Sequence, residues 1–190
     1  MGFRRGFKSE ANGTAREIRA ELGLKDLDKL DPWTLADYLL VPVEALSDYS
    51  PDAPLAVRHF TETDPGAFSA CTVFCGARRK IVHNDAHSAG RQASNLTHEL
   101  GHALLLHPPT PALDDRGCRQ WNQSIEDEAQ WLAGALLLTE DAALWIARND
   151  TSVAAAALHF GISEQMVTYR LNVTGARTRV ARARGLRVVR

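Results

Sequence analysis

Cysteine is scarce in this sequence, which limits the classes of protein it can belong to. Only three of its 190 residues are cysteine, Cys71, Cys75 and Cys118, too few and too unevenly spaced for a disulfide framework. Long apolar runs are also missing, and the basic first residues lead into a polar segment rather than a signal peptide. We therefore expect a cytoplasmic protein that is neither exported nor anchored in a membrane.

Net charge is nearly absent as well. The chain has 22 basic and 23 acidic residues, so its formal charge is -1, which argues against a protein that coats nucleic acid. A local excess of positive charge lies in residues 175–190, which include six arginines and no acidic residue. We interpret residues 176–190 as a basic, solvated tail. Binding of nucleic acid or another acidic partner by this tail is the less favoured alternative.

Apolar sequence is plentiful, and its spacing predicts a mixture of helices and short strands. Hydrophobic residues make up 45% of the chain, enough for one buried core. Apolar residues at three-and-four spacing predict helices over residues 11–22, 32–40, 88–107 and 125–138. Short runs between turn residues predict strands over residues 55–60, 68–75 and 79–83. The spacing over residues 152–171 predicts a helix, a tight turn and a second helix, the arrangement of a helix-turn-helix.

The third predicted helix carries a pattern that indicates a metal site, His98-Glu99-Leu100-Gly101-His102. Two histidines four residues apart share one face of a helix and can bind a single ion, and zinc suits imidazole nitrogens. Glu99 lies about 100° further round the helix, where it can act as general base towards a metal-bound water.

A chance pattern on a buried helix is the alternative interpretation of these five residues. The helix is apolar on nearly all sides, so both histidines would be largely buried beside a glutamate. Buried polar groups of this kind need partners, and one metal ion would supply a partner for all three. We therefore favour the metal site.

A hydrolytic zinc site needs a third protein ligand from another element. The predicted helix from residue 125 begins with Glu126, Asp127 and Glu128. Asp127 points away from the apolar stripe of that helix, whereas Glu126 and Glu128 lie on its opposite shoulders. Periodicity therefore leaves Glu126 and Glu128 equally eligible, and the helix dipole alone would also favour acids in this first turn.

The run HELGHALLLH from His98, followed by EDEAQWLAGALLL from Glu126, resembles the ImmA/IrrE family of metallopeptidases. That family combines HExxH with a downstream Glu-x-x-Ala helix and an apolar run, and the resemblance covers roughly residues 3–173. It implies a gluzincin-like site in which His98, His102 and Glu126 bind one Zn²⁺ ion. Another divalent metal, such as Mn²⁺, is the alternative to zinc. Gln130 stands where related zinc peptidases often have Asp or Asn, and it could support a ligating histidine.

The resemblance also implies a fold and an activity. The expected fold is α+β: a mostly helical, zincin-like domain over residues 1–175, with a three-stranded, mainly antiparallel sheet beside the HExxH helix. Residues 151–173 would be its helix-turn-helix-like subregion. The expected activity is an intracellular zinc endopeptidase with Glu99 as general base, cleaving a helix-turn-helix (XRE-type) repressor in stress response or mobile-element regulation.

The rest of the catalytic centre is less defined by sequence. His83, Tyr169 and Arg170 have the right chemistry to stabilise an oxyanion, but each has an ordinary structural explanation. A helical wheel places His107 opposite His98 and His102, where it would pack or cap the helix end. A peptide substrate could add as a strand to the sheet, and residues 79–83 are the expected edge.

Two other functions are compatible with parts of the sequence. Residues 152–171 and the arginine tail could belong to a DNA-binding or metal-sensing regulator without proteolysis. However, the would-be recognition helix, residues 164–171, has one arginine and one acid, a poor set for phosphate contacts. Peptide deformylase also uses HExxH, but Cys71 and Cys75 lack the glycine-rich setting of its cysteine ligand and are expected to be packed strand residues.

Overall fold

The computed structural model describes residues 3–76, 78–108 and 122–185, without the side chain of Cys75. The helices of these residues are α1 (Phe7–Glu21), α2 (Pro32–Tyr38), α3 (Pro54–Arg58), α4 (Ala89–Leu104), α5 (Gln123–Leu137), α6 (Glu140–Arg148), α7 (Val153–Phe160), α8 (Glu164–Val173) and α9 (Ala176–Ala183). The strands are β1 (Val43–Ala45), β2 (Ala70–Cys75) and β3 (Arg78–His83). The predicted mostly helical α+β class is confirmed.

The three strands form one mixed sheet in the order β1-β3-β2. β3 pairs antiparallel with β2 over six residue pairs and in parallel with β1 over three, so the sheet is mainly antiparallel as predicted. Strand β3 is therefore central, and the prediction that residues 79–83 form the edge is wrong. The error follows from β1, whose three residues are too few to show an alternating pattern.

The predicted strand over residues 55–60 is also wrong. These residues belong to α3 and to a π-helical turn that continues from it, His59–Thr63. Pro54 occupies the first turn of α3, where its fixed φ favours a helix and its missing N–H costs nothing. A short apolar run does not distinguish a strand from a helix, and here the proline decides.

Helix α5 is the centre of the core. It packs against α4 and α1, and Leu132 and Leu136 are fully buried. Two buried arginines bind carbonyls near its C-terminal end: Arg19 Nη1 donates to Leu136 O at 2.7 Å, and Arg170 Nε donates to Leu138 O at 2.8 Å. Burial lowers the pKa of Arg170 to about 10, so its guanidinium stays charged at neutral pH. Both cations offset the unpaired carbonyls and negative dipole of the helix end.

The contact between α4 and α5 depends on Gly101. A Cβ atom at this position would lie 2.9 Å from the carbonyl oxygen of Ala129, so only glycine fits without moving the α5 backbone. Leu96 and Leu100 of α4 are fully buried in the same core. The middle residues of the HExxH motif therefore set how closely the two helices approach.

The helix-turn-helix rhythm predicted over residues 152–171 corresponds to α7 and α8. Ser152 and Ser163 cap the two helices, accepting bonds from Ala155 N and Met166 N. Gly161 ends α7 with a φ of +65°, the left-handed conformation that glycine adopts at little cost. Of the helices that the structure describes, none has both the length and the apolar character needed to cross a bilayer.

The basic C-terminal segment is not a solvated tail over its first residues. Helix α9 packs on α6, with Val180 buried, because Ala176 and Val180 lie one turn apart on the same face. Arg179 forms an ion pair with Glu140 of α6, and Arg184 lies 3.2 Å from Asp150. The last arginines of the predicted tail, in residues 186–190, lie outside the described residues.

Replacing Gly101 with alanine should destabilise the protein. The added methyl group meets backbone rather than a flexible side chain, so α4 and α5 must separate, and such overpacking costs about 1–3 kcal/mol. Gly13→Ala is the matched control, because Gly13 lies inside α1 with nothing within 4 Å of the added atom. The control should gain about 0.5–1 kcal/mol from helix propensity. Urea denaturation measures both, and equal effects would contradict the close approach.

Candidate metal centre

Helix α4 directs two imidazole rings to the same point. His98 and His102 are one turn apart, and their Nε2 atoms lie 3.2 Å from each other. The opposite side of the helix is anchored in the core by Leu96 and Leu100. The face that carries the histidines is thereby turned towards α5 and an open cavity.

Helix α5 supplies a carboxylate to this point. Glu126 Oε2 lies 3.1 Å from His98 Nε2 and 3.5 Å from His102 Nε2. The N-cap Asn122, whose side chain accepts a bond from Ser124 N, starts α5 so that Glu126 falls in its first turn. Of the two acids that periodicity could not separate, Glu126 is the one beside the paired histidines.

The three atoms form a triangle whose size suits a tetrahedral zinc ion. Zinc bonds of about 2.0–2.1 Å put tetrahedral ligands about 3.3–3.4 Å apart. The observed separations are 3.1, 3.2 and 3.5 Å. Two neutral imidazoles that point lone pairs at each other also repel unless a proton or a cation lies between them. Among the described residues, this trio is the group of His, Cys, Asp and Glu side chains that could hold a metal.

The two histidines strongly affect the Glu126 carboxyl group. Hydrogen bonds to His102 and His98 outweigh burial and lower the pKa of Glu126 to about 2. The group is therefore ionised throughout the neutral range, which is the form that a metal needs.

Glu99 lines the same cavity as this triangle and is held by the sheet. Thr72 Oγ1 on β2 donates a hydrogen bond of 2.6 Å to Glu99 Oε2. This contact fixes one carboxylate oxygen and leaves Oε1 available to a reacting group. Sequence reasoning gave no role to Thr72, because the pairing of β2 with α4 is a tertiary contact.

His107 does not lie opposite the other histidines as the helical wheel predicts. Helix α4 ends at Leu104, and Leu106 reverses the chain with a φ of +52°, so the wheel does not apply to His107. His107 Nδ1 lies 2.9 Å from His102 Nδ1, and His107 Nε2 lies 3.4 Å from Glu128 Oε2. Burial, followed by the neighbouring His102, lowers the pKa of His107 and favours its neutral ring.

The other sequence candidates are distributed around the site. Gln130 and Tyr169 line the cavity, although the partner of His102 Nδ1 among the described residues is His107 and not Gln130. Arg170 is buried and bound to Leu138 O, and His83 is buried edge-on against Trp33. Neither of these two side chains lines the cavity.

The centre opens into a cavity of about 1570 Å³. This exceeds the roughly 300–1,000 Å³ typical of small-molecule sites, so the cavity can take an extended chain segment. Its walls come from β2 on one side and from α7 and α8 on another. Cys71 also lines it, with a thiol pKa raised by burial and by the charge of Glu99, so this thiol is protonated at neutral pH.

Strand β2 has a free edge, and four of its residues line this cavity. Its partner β3 lies on one side, and the described residues contain no strand on the other. Asn84 N donates to Ser69 O, and antiparallel bonding alternates, so the backbone groups of Ala70, Thr72 and Phe74 point away from β3. The edge that the sequence assigned to β3 is therefore found on β2.

Two helices that present two imidazoles and a carboxylate beside a cavity of about 1570 Å³ form an arrangement typical of metallopeptidases. The chain belongs to the peptidase M78 family: residues 49–172, more than half of its length, match the family described as IrrE N-terminal-like domain. The resemblance to ImmA/IrrE peptidases is thus confirmed. Comparisons with curated proteins and with solved structures gave no match.

Removing the Glu126 charge should change the acid stability of the metal-free protein. The folded-state pKa of about 2 lies below the ordinary 4.5. The stabilisation is therefore fully present above about pH 4.5 and is lost as the pH falls towards 2. Chelator-treated wild type should exceed Glu126→Gln in urea stability at pH 6, and the gap should close between pH 4.5 and 2. Glu17→Gln, at an exposed position on α1, controls for loss of a negative charge; a gap independent of pH would refute the assignment.

Proposed function

We propose that this protein is an intracellular zinc-dependent endopeptidase in which His98, His102 and Glu126 hold the metal and Glu99 is the general base. Mn²⁺ is the alternative divalent ion. The triangle of two Nε2 atoms and one carboxylate oxygen, with edges of 3.1–3.5 Å, is the observation that supports it most directly. Family membership supports the metallopeptidase class independently of this geometry.

The chemistry follows from the positions of the side chains. A zinc ion at this site would lower the pKa of water to about 7 and polarise a peptide carbonyl. Glu99 would take the proton of the attacking water on Oε1 and later deliver it to the leaving amine. Thr72 keeps Oε2 occupied, so the same oxygen receives and returns the proton. Tyr169, which lines the cavity, is the candidate here for the oxyanion donor.

The substrate would bind as an added strand on β2. Ala70, Thr72 and Phe74 offer outward N–H and C=O groups, and an extended peptide can pair with them. Because Thr72 also contacts Glu99, a peptide bond paired near Thr72 would lie next to the base. The proposed binding mode is still strand addition, but its place is β2 instead of residues 79–83.

A helix-turn-helix repressor is the proposed substrate, as the resemblance to ImmA/IrrE peptidases implies. The alternative, in which the chain is itself a DNA-binding regulator, is less favoured. Arg170 of the would-be recognition helix α8 is buried against Leu138 O, and Glu164 and Met166 line the cavity. Arg179 and Arg184 are paired with acids, which leaves fewer free cations for phosphate.

Glu99→Gln should abolish cleavage and keep the metal. The amide preserves the shape and can still meet Thr72, but it cannot accept a proton, so we expect a loss of at least 100-fold in turnover. Zinc content by atomic absorption and the new N-termini that appear in cells expressing either protein measure the two effects. Glu126→Gln is the contrasting variant, in which metal and cleavage should fall together. Equal cleavage by wild type and Glu99→Gln would refute the assignment.

Backbone methylation of the substrate should affect cleavage at alternate residues. In strand addition, every second N–H of the peptide pairs with β2 and the others face away. In a peptide selected from a random library, single N-methyl groups should reduce kcat/KM about tenfold or more at alternate positions on one side of the scissile bond. A loss without alternation would contradict binding along the β2 edge.

A further inference from the structure

The nitrogen of His102 that faces away from the metal-binding triangle has a partner outside the HExxH motif. His102 Nδ1 and His107 Nδ1 are 2.9 Å apart, a hydrogen-bond distance. His107 Nε2 in turn faces Glu128 Oε2 at 3.4 Å, an ion-pair distance longer than a well-formed hydrogen bond. The side chains of His107 and Glu128 are only 9% and 18% exposed, so water competes little for these contacts.

The positions of the protons on His102 and His107 follow from what His102 Nε2 binds. If a metal takes the lone pair of His102 Nε2, the proton of the neutral ring must be on Nδ1. His102 Nδ1–H then donates, so His107 Nδ1 must accept and carry no proton. The proton of His107 is consequently on Nε2. This buried atom makes no hydrogen bond within the described residues, and Glu128 Oε2, 3.4 Å away, is the carboxylate oxygen it faces. With two neutral rings, only this arrangement avoids placing two protons or two lone pairs between the Nδ1 atoms.

We propose that His107 and Glu128 form a positioning relay for the metal ligand His102, fixing its tautomer and ring orientation and increasing metal affinity. The inference rests on the proposed metal site. A carboxylate that accepts from a ligating histidine makes that imidazole a better ligand, and here a second imidazole transmits the effect. His107 and Glu128 are outside the trio that could hold a metal and would act on it through His102, so they are positioning residues.

The chain reversal that brings His107 back to His102 is the Schellman end of α4, in which His107 N donates to His102 O at 3.0 Å and Leu106 N donates to Ala103 O at 3.2 Å. The ring contact between the two histidines is an addition to this backbone turn. The other histidine of the triangle, His98, has no hydrogen-bond partner at Nδ1 among the described residues. Of the two rings, His102 is therefore the one whose outer nitrogen meets another side chain.

The test compares zinc affinity, measured by competition with a chromophoric chelator, in the whole chain and its variants. His107→Leu removes the acceptor and should raise the zinc Kd about 10–100-fold. His107→Asn should restore much of the affinity, because its amide can accept from His102 and donate towards Glu128. Glu128→Gln keeps an acceptor without the charge and should give a smaller increase. His159→Leu is the control at an exposed histidine of α7 and should leave the Kd unchanged.

Nitrogen-15 NMR of the zinc-loaded wild type gives a readout that packing alone would not produce. The relay requires a proton on Nδ1 of His102 and on Nε2 of His107. A His107 ring protonated on Nδ1 would overturn the proposal even if the leucine variant failed to fold. Wild-type zinc binding combined with an unchanged Kd in folded His107→Leu would also overturn the relay and leave the proposed function standing. Absence of zinc binding by folded wild type would instead refute the metal site itself.

Discussion

The approach of α4 to α5 at Gly101 is the constraint on which the rest of the site depends. A glycine without Cβ lets the Ala129 backbone come close, and the Glu126 carboxylate consequently reaches the histidines of the other helix. Ligand geometry tolerates errors of only about 0.5 Å. A helix spacing set by rigid backbone contact meets that tolerance better than one set by flexible side chains, which explains why the motif leaves no room for a larger residue at position 101.

Two side chains from outside α4 contact the polar residues of its HExxH motif. Thr72 reaches from the sheet to Glu99, whereas His107 reaches from beyond the helix end to His102. Each contacts one polar atom of a side chain that lines the cavity. Supports from two separate elements allow Glu99, the proposed general base, and His102, a proposed metal ligand, to be oriented independently, although both lie on the same turn of α4.

Much of this arrangement could be predicted from local sequence, and the failures have a common physical origin. Helices α4 and α5 were predictable because each is long enough to show the helical spacing of apolar residues clearly. The choice of Glu126 over Glu128 came from the family pattern, which extends to that helix. Strand β1 has three residues, too few to show an alternating pattern, and without it residues 79–83 were placed at the edge of the sheet rather than at its centre. His107 was misplaced because a helical wheel assumes that the helix continues, whereas Leu106 turns the chain back. Thr72 was missed because nothing local connects it to Glu99.

The arginines at the far end of α5 have a consequence for the position of Glu126. Arg19 and Arg170 bind the carbonyls of Leu136 and Leu138, while Glu126 lies in the opposite, first turn of the helix. The backbone contact between Gly101 and Ala129 holds α5 one turn beyond Glu126. The helix is therefore held at two separate points and acts as a rigid spacer, so a substitution at either point would displace the Glu126 carboxylate from the histidines of α4.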